Sequence, residues 1–360
     1  MKNIGRSILT LAMALVMALA CTSCGGSQPT GGQGGSGSGD APTPPAADGT
    51  VYQLSWAGIG STDAIDTWIG EEMAARVAEQ TDNKVQITVY PASQLGDLTQ
   101  AYDEIIAGTI DMGLFTVYGD YDIVNEMNFT CLLTDNLDDF RRVYSEDGFL
   151  YQTIEAAQNS RGVTLFGFWP SGYLGLGFAK LSEGPDVLFD PTAPKAELLR
   201  VPGMDTMLMS AQALGYNTTT INYSDVYTAL QTGVCDGSWN GGAYANYQSF
   251  RDVLKYYVDY RICNDVYSLV MNTKKLQSMP AEYQEVMSKV AAEVLEEGMQ
   301  KIEQQEAQSL KDLADYGIEV ITPTDEQRAN MRTYFIENVW PQFSQFYGEE
   351  LVQKLIEAAG

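Results

Sequence analysis

A two-lobed α/β fold is what this sequence predicts, and three observations carry the prediction. The chain has 360 residues, too many for one ordinary domain and suited to two compact lobes. From Thr50 onward, runs of alternating apolar residues take turns with helical periodicities. Strands separated by helices in this way imply parallel sheets with helices on both faces. The last third turns helical, and one run there exceeds the span of a single lobe, so it is expected to bridge both.

The elements follow in order. Residues 51–56 place Tyr52, Leu54 and Trp56 on one face, a strand pattern. Residues 62–80 carry Ile65, Ile69, Met73 and Val77 four apart, a helix. Residues 84–90 form a second strand, 98–107 a helix with Tyr102, Ile105 and Ile106 on one side, and 109–116 a short strand entering a loop at Tyr118. Further on, 163–169 reads as a strand and 205–214 as a helix stopped by Gly215. Residues 218–222 are extended, Ser224 caps a helix running to Gln231, and 234–239 are extended again. Ligands in such folds sit at the carboxyl ends of strands. The long run, 280–316, starts at Pro280, carries Tyr283, Val286, Val290 and Val294, and closes at Gly317. Unbroken, it measures roughly 55 Å, and Gly298 is its predicted bend. Residues 325–347 and 349–359 supply amphipathic helices interrupted at Pro341.

The start of the chain reads as targeting. Residues 1–20 form a signal peptide: Lys2 and Arg6 precede an apolar run from Ile8 to Ala20, shorter than the roughly 20 residues of a membrane span. The run ends Ala18-Leu19-Ala20-Cys21, which resembles a bacterial lipobox. Cys21 is the expected acylation site and Cys24 the alternative, which makes the chain extracytoplasmic and lipid-anchored. Residues 21–49 then form a Gly/Ser/Pro-rich linker, too poor in apolar residues to fold. Within it Gly32-Gln33-Gly34-Gly35-Ser36-Gly37 matches a dinucleotide fingerprint, but no strand precedes it and no helix follows. The remaining cysteines, Cys131, Cys235 and Cys263, are too few for a disulfide framework; one bridge is possible, between partners the sequence does not name.

Composition removes whole classes of function. With 47 acidic against 21 basic residues the net charge is −26, which excludes nucleic acid and anionic lipid surfaces as partners. A small anion is still compatible, because one cation in a cleft dominates within the screening length of about 8 Å. The chain contains no histidine, so histidine-based nucleophilic catalysis and most imidazole metal sites are gone. No Walker loop, nucleophile elbow or EF-hand loop occurs, and no carboxylate pair stands apart from a solvated face. Neither a catalytic residue, a metal site nor a cofactor is expected, and the chain reads as a binding protein, not an enzyme.

The most informative stretch is 198–240. Arg200 sits at a strand end just before Pro202, and Asn240 closes a later strand. Arginine suits a planar carboxylate because its fork makes two parallel hydrogen bonds, and an amide adds a donor. Spacing alone fits Arg200 equally to a ligand clamp and to an internal ion pair. Trp56, Phe115, Tyr118, Trp169 and Tyr173 also lie at predicted strand ends, where the cleft is expected.

The run from Ser224 to Gly233, SDVYTALQTG, followed by Asp236-Gly237 and Asn240, resembles the solute-binding proteins of TRAP transporters, the DctP-like family. The Arg-Val-Pro opening at Arg200, Gln94-Leu95-Gly96, the block from Gly108 to Gly113 and Met279-Pro280 fit the same pattern. The resemblance covers the body from Val51 onward. It implies a periplasmic-binding-protein-like fold with a hinge, the long helix crossing both lobes, and lobe closure on a small organic acid. It implies Arg200 on the ligand carboxylate, Asn240 assisting, and delivery to an integral TRAP-type permease driven by an ion gradient. The expected lobes are 50–177 with 266–305, and 178–265 with 306–360, in a monomer.

Two departures bear on the ligand. Where many members carry a second arginine, this chain offers only Lys180, and Trp239 replaces the usual glutamate before the asparagine. Fewer cations and more aromatic surface suit a monocarboxylate with an apolar or aromatic body. The alternatives are a sensor-associated ligand-binding protein and, further off, a secreted hydrolase working with carboxylates.

Overall fold

The computed structural model describes residues 49–358; the signal segment, Cys21, Cys24 and nearly all of the linker lie outside them. Two sheets organise the body. The first contains β1 (Tyr52–Gly58), β2 (Val85–Tyr90), β3 (Met112–Phe115), β4 (Val163–Tyr173) and, from later in the chain, β10 (Asn264–Asn272), in the order β2-β1-β3-β10-β4. The second contains β5 (Gly175–Phe178), β6 (Leu198–Val201), β7 (Asn217–Thr220), β8 (Gly237–Gly241), β9 (Tyr256–Val258) and β11 (Glu319–Ile321), in the order β11-β9-β5-β8-β6-β7.

Neither sheet is purely parallel, as periodicity had suggested. The βαβ units do give parallel pairs, β1 with β2 and β3, and β6 with β7 and β8. The strands that carry the chain between sheets run the other way: β10 is antiparallel to β3 and β4, and β5 to β8 and β9. A crossing strand enters from the opposite lobe, so its direction is set by the crossing and not by a local βαβ connection.

The crossings form the hinge. The chain passes from β4 to β5 at Leu174 and returns from β9 to β10 through residues 259–263. These two passages bond to each other, Ile262 N–H to Leu174 O at 2.9 Å and Leu174 N–H to Cys263 O at 2.8 Å. The expected lobe boundary fell slightly late, since residues 175–177 are already strand β5 of the second sheet and Asn264 already opens β10 of the first.

The third passage is the helix Ala281–Tyr316, 36 residues long. Its apolar stripe, including Val290, Val294 and Leu295, packs with Trp56, Ile69 and Met73 of the first sheet and its covering helix. Leu313 belongs to the second lobe's cluster with Leu230 and Tyr257. Ion pairs flank it, Arg76 to Glu297 and Arg141 to Glu296, both at 2.7 Å. Helix runs unbroken through Gly298, the expected bend. A Cβ there would lie 2.6 Å from Ile69 Cδ1 and 2.9 Å from Trp169 Nε1, and close approach explains the residue.

The ends hold other differences. Ser224 makes no cap; the chain enters helix Val226–Thr232 through a 3-10 turn, Tyr223–Asp225. The C-terminal helices were expected with the second lobe. Instead Ser344–Tyr347 and Glu349–Ala358 pack on Ile123–Phe129 and Phe149–Ser160 beside the first sheet, and the Trp340 indole donates to Cys131 O at 3.0 Å. Their amphipathic pattern marks an apolar face without saying which lobe covers it. Cys131, Cys235 and Cys263 are free and buried. No helix among the described residues is long and apolar enough to cross a membrane.

Candidate functional site

The parallel strands β6, β7 and β8 bring their carboxyl ends together, and Arg200 sits one residue from the end of β6, level with Thr219 and Ser238. Its guanidinium is tied to its neighbours' backbone: Nε donates to Ile221 O at 2.8 Å and Nη1 to Trp239 O at 2.9 Å. The residue is only 3% exposed. Burial pulls its pKa down; the groups pushing back are the Cys235 thiol and the Tyr223 and Tyr118 hydroxyls, none of them a carboxylate. A buried cation without an acid is costly, and in a chain with 47 acidic residues an internal partner was easy to supply. Of the two roles open to Arg200, the ion pair is absent among the described residues.

Asn240 follows Trp239 at the end of β8, and both its Nδ2 and Oδ1 are buried with no hydrogen-bond partner. Each buried unmatched polar atom costs about 1–3 kcal/mol. Guanidinium and amide therefore share one neighbourhood, with hydrogen-bonding capacity unspent in both.

From the first sheet, Tyr118, just beyond β3, comes within electrostatic reach of Arg200. Burial holds its proton on, Asp265 strengthens that hold, and Arg200 opposes it. The hydroxyl thus lies within the field of the second sheet's arginine.

The other aromatic candidates do not join this cluster. Phe115 and Trp56 are fully buried, Phe115 edge-on to Tyr102 and Trp56 beneath Gly70. Trp239 is likewise fully buried in the core; what it gives Arg200 is its carbonyl oxygen. Trp169 packs edge-on against Tyr267. Tyr173 lines a hollow with Arg261, Asn264 and Glu306 beside the long helix, where neither Arg200 nor Asn240 reaches, and the Arg261 guanidinium lies 4.0 Å from its ring centroid.

Lys180 is not a second cation in the groove. Its side chain is 74% exposed and pairs with Asp236 at 3.5 Å. Asp236 precedes β8, whereas Asn240 lies near its far end, roughly 13 Å away at about 3.3 Å per residue. The antiparallel pairing of β5 with β8 fixes this placement. Sequence reading missed Asp265 and Tyr223. Among the described residues no group of three or more acids or cysteines is placed to hold a metal ion.

Two sheets joined by a bonded pair of crossing strands, with an unpaired buried cation at the strand ends of one, define a two-lobed ligand-binding protein. The chain belongs to the family described as bacterial extracellular solute-binding protein, family 7 (DctP), whose sequence profile matches residues 61–345. This agrees with the resemblance carried by residues 200–240. Among similar proteins, a solute-binding protein of Chromohalobacter salexigens is 26% identical over 217 residues, 55% of this chain and 62% of that one. The C4-dicarboxylate-binding periplasmic protein DctP of Vibrio cholerae is 23% identical over 288 residues, covering 79% and 83%. The crystal structure of a TRAP periplasmic solute-binding protein from Desulfovibrio salexigens with bound orotic acid superposes with a TM-score of 0.74 at 22% identity, covering 86% of this chain and 98% of that one.

Proposed function

We propose that this protein captures a small organic acid outside the cytoplasm and hands it to a TRAP-type, ion-gradient-driven membrane permease. One observation carries the reading: Arg200 is buried, fixed by two backbone carbonyls and, among the described residues, unpaired with any acid, beside an asparagine whose amide is unmatched. The ligand carboxylate supplies the missing acid. It accepts from the free Nη2 of Arg200 and from Asn240, and closure of the lobes about the crossing strands buries the pair. Only preferential affinity for the closed form drives that closure. The Vibrio cholerae relative is named for C4-dicarboxylates and the Desulfovibrio salexigens structure holds orotic acid; both ligands are carboxylates, which supports the class.

The protein acts as a monomer, anchored through lipid on Cys21 or Cys24, and releases its ligand unaltered. The lipobox-like Ala18–Cys21 sequence and the linker support the anchor. Calorimetry with the compound released from the purified protein tests the site. Arg200→Ala weakens binding by about 2–5 kcal/mol, roughly 30-fold to several thousand-fold. Unchanged affinity would make Arg200 structural.

A further inference from the structure

The side chain opposite Arg200 narrows the ligand further. Asp265 is the second residue of β10, where the register against β4 slips: Asn264 pairs with Tyr173 and Val266 with Pro170, so Asp265 alone faces two β4 residues, Ser171 and Gly172. The extra residue lies in β4, and this bulge sets Ser171 beside Asp265. On the other side, β10 pairs with β3 from Ser268, which faces Phe115. The antiparallel course carries Asp265 past the carboxyl end of β3, level with the loop that holds Tyr118.

Two hydroxyls hold the carboxylate. Thr116 Oγ1 donates to it at 3.1 Å from the first-sheet loop and Ser171 Oγ at 3.0 Å from β4. No lysine or arginine pairs with it among the described residues; burial, which raises its pKa, is opposed only by these two hydroxyls. Tyr118 on one side of the groove and Tyr223 on the other each feel both charges, Arg200 and Asp265 acting on them with opposite sign. The groove therefore has a cation without an acid on the second sheet and an acid without a cation on the first. They do not meet each other.

A plain monocarboxylate answers Arg200 and leaves Asp265 unmatched. A dicarboxylate sets its second charge against Asp265, a like-charge contact that specific sites use for rejection. A ligand with a protonated amine satisfies both groups at once. We propose that the ligand is an amino-monocarboxylate and that Asp265 receives its ammonium group, a reading that rests on Arg200 gripping the carboxylate.

The test is calorimetry on wild type, Arg200→Ala, Asp265→Asn and Ser171→Ala, with matched probe series of three to nine carbons: amino-monocarboxylates, the same acids without the amine, and the corresponding dicarboxylates. The expected result is at least ten-fold tighter binding of an amino acid than of its two counterparts. That preference falls at least ten-fold in Asp265→Asn and partly in Ser171→Ala, which leaves the charge in place. A dicarboxylate or an unsubstituted acid as the preferred class overturns the inference, as does a preference unchanged in Asp265→Asn, or binding by none of the series. The reading of Arg200 as the carboxylate clamp fails separately, when Arg200→Ala binds the best probe as tightly as wild type.

Discussion

Arg200 Nη1 donates to the carbonyl oxygen of Trp239 at 2.9 Å, and this bond fixes the guanidinium to β8, the strand that carries Asn240. Arg200 projects from β6 and Asn240 from β8, two strands paired in parallel, so a sheet presents both side chains. Rigid presentation of a small number of polar groups lets a site select a ligand at low entropic cost.

Asn240 is the first consequence. Its amide is unmatched in the free protein and gains a partner only with ligand. Asn240→Ala is expected to weaken binding about 10- to 100-fold, the scale of a hydrogen bond to a charged group at roughly 1.5–3 kcal/mol. The ligand-free variant melts no lower than wild type, because no existing hydrogen bond is lost. Calorimetry and thermal melting together check this; a variant that melts well below wild type would mean the amide is already satisfied.

Glu306 supplies the second. From the long helix its carboxylate accepts the backbone N–H groups of Ala243 and Tyr244, each at 3.3 Å, at the start of helix Ala243–Phe250. Burial pushes its pKa up from 4.5 to about 7, against the pull of those two amides. A raised folded-state pKa in an acid means stability that is full below about pH 4.5 and lost as pH rises through 7. Glu306→Gln therefore matches wild type at pH 4.5 and exceeds it at pH 8 by on the order of 1–3 kcal/mol. Denaturant titrations at both pH values measure the difference; an equal gap at the two would contradict the assignment.

Much of this was legible in the sequence, for identifiable reasons. The helix at Leu98–Ala107 and the strand starting at Val163 stand where periodicity placed them, since their faces are uniformly apolar. Arg200 and Asn240 were visible because a family pattern surrounds them. The groove's acidic side was not. Asp265 faces a one-residue bulge in the neighbouring strand β4, which leaves no mark in an alternation pattern. Lys180 was misjudged for a related reason: proximity in sequence to a strand end does not reveal which end of the neighbouring strand it meets. Aromatic residues at strand ends, such as Phe115 and Trp56, proved to be core, because the same position can face inward or across the groove.

Gly298 offers a test of the hinge-side packing. Alanine gains about 1 kcal/mol in helix propensity, yet its methyl would press on Ile69 and Trp169, and overpacking costs about 1–3 kcal/mol. Gly298→Ala is expected to lower stability by on the order of 1 kcal/mol, measured by chemical denaturation. A more stable variant would show that the contact yields freely.

The central claim is that a ligand carboxylate completes Arg200. A crystal structure of the protein with the compound it releases on denaturation measures this directly. The account predicts carboxylate oxygens about 2.7–2.9 Å from the Arg200 guanidinium, with Asn240 Nδ2 donating to the same group. An Arg200 turned onto one of the protein's own acids, with the ligand bound elsewhere, would contradict it.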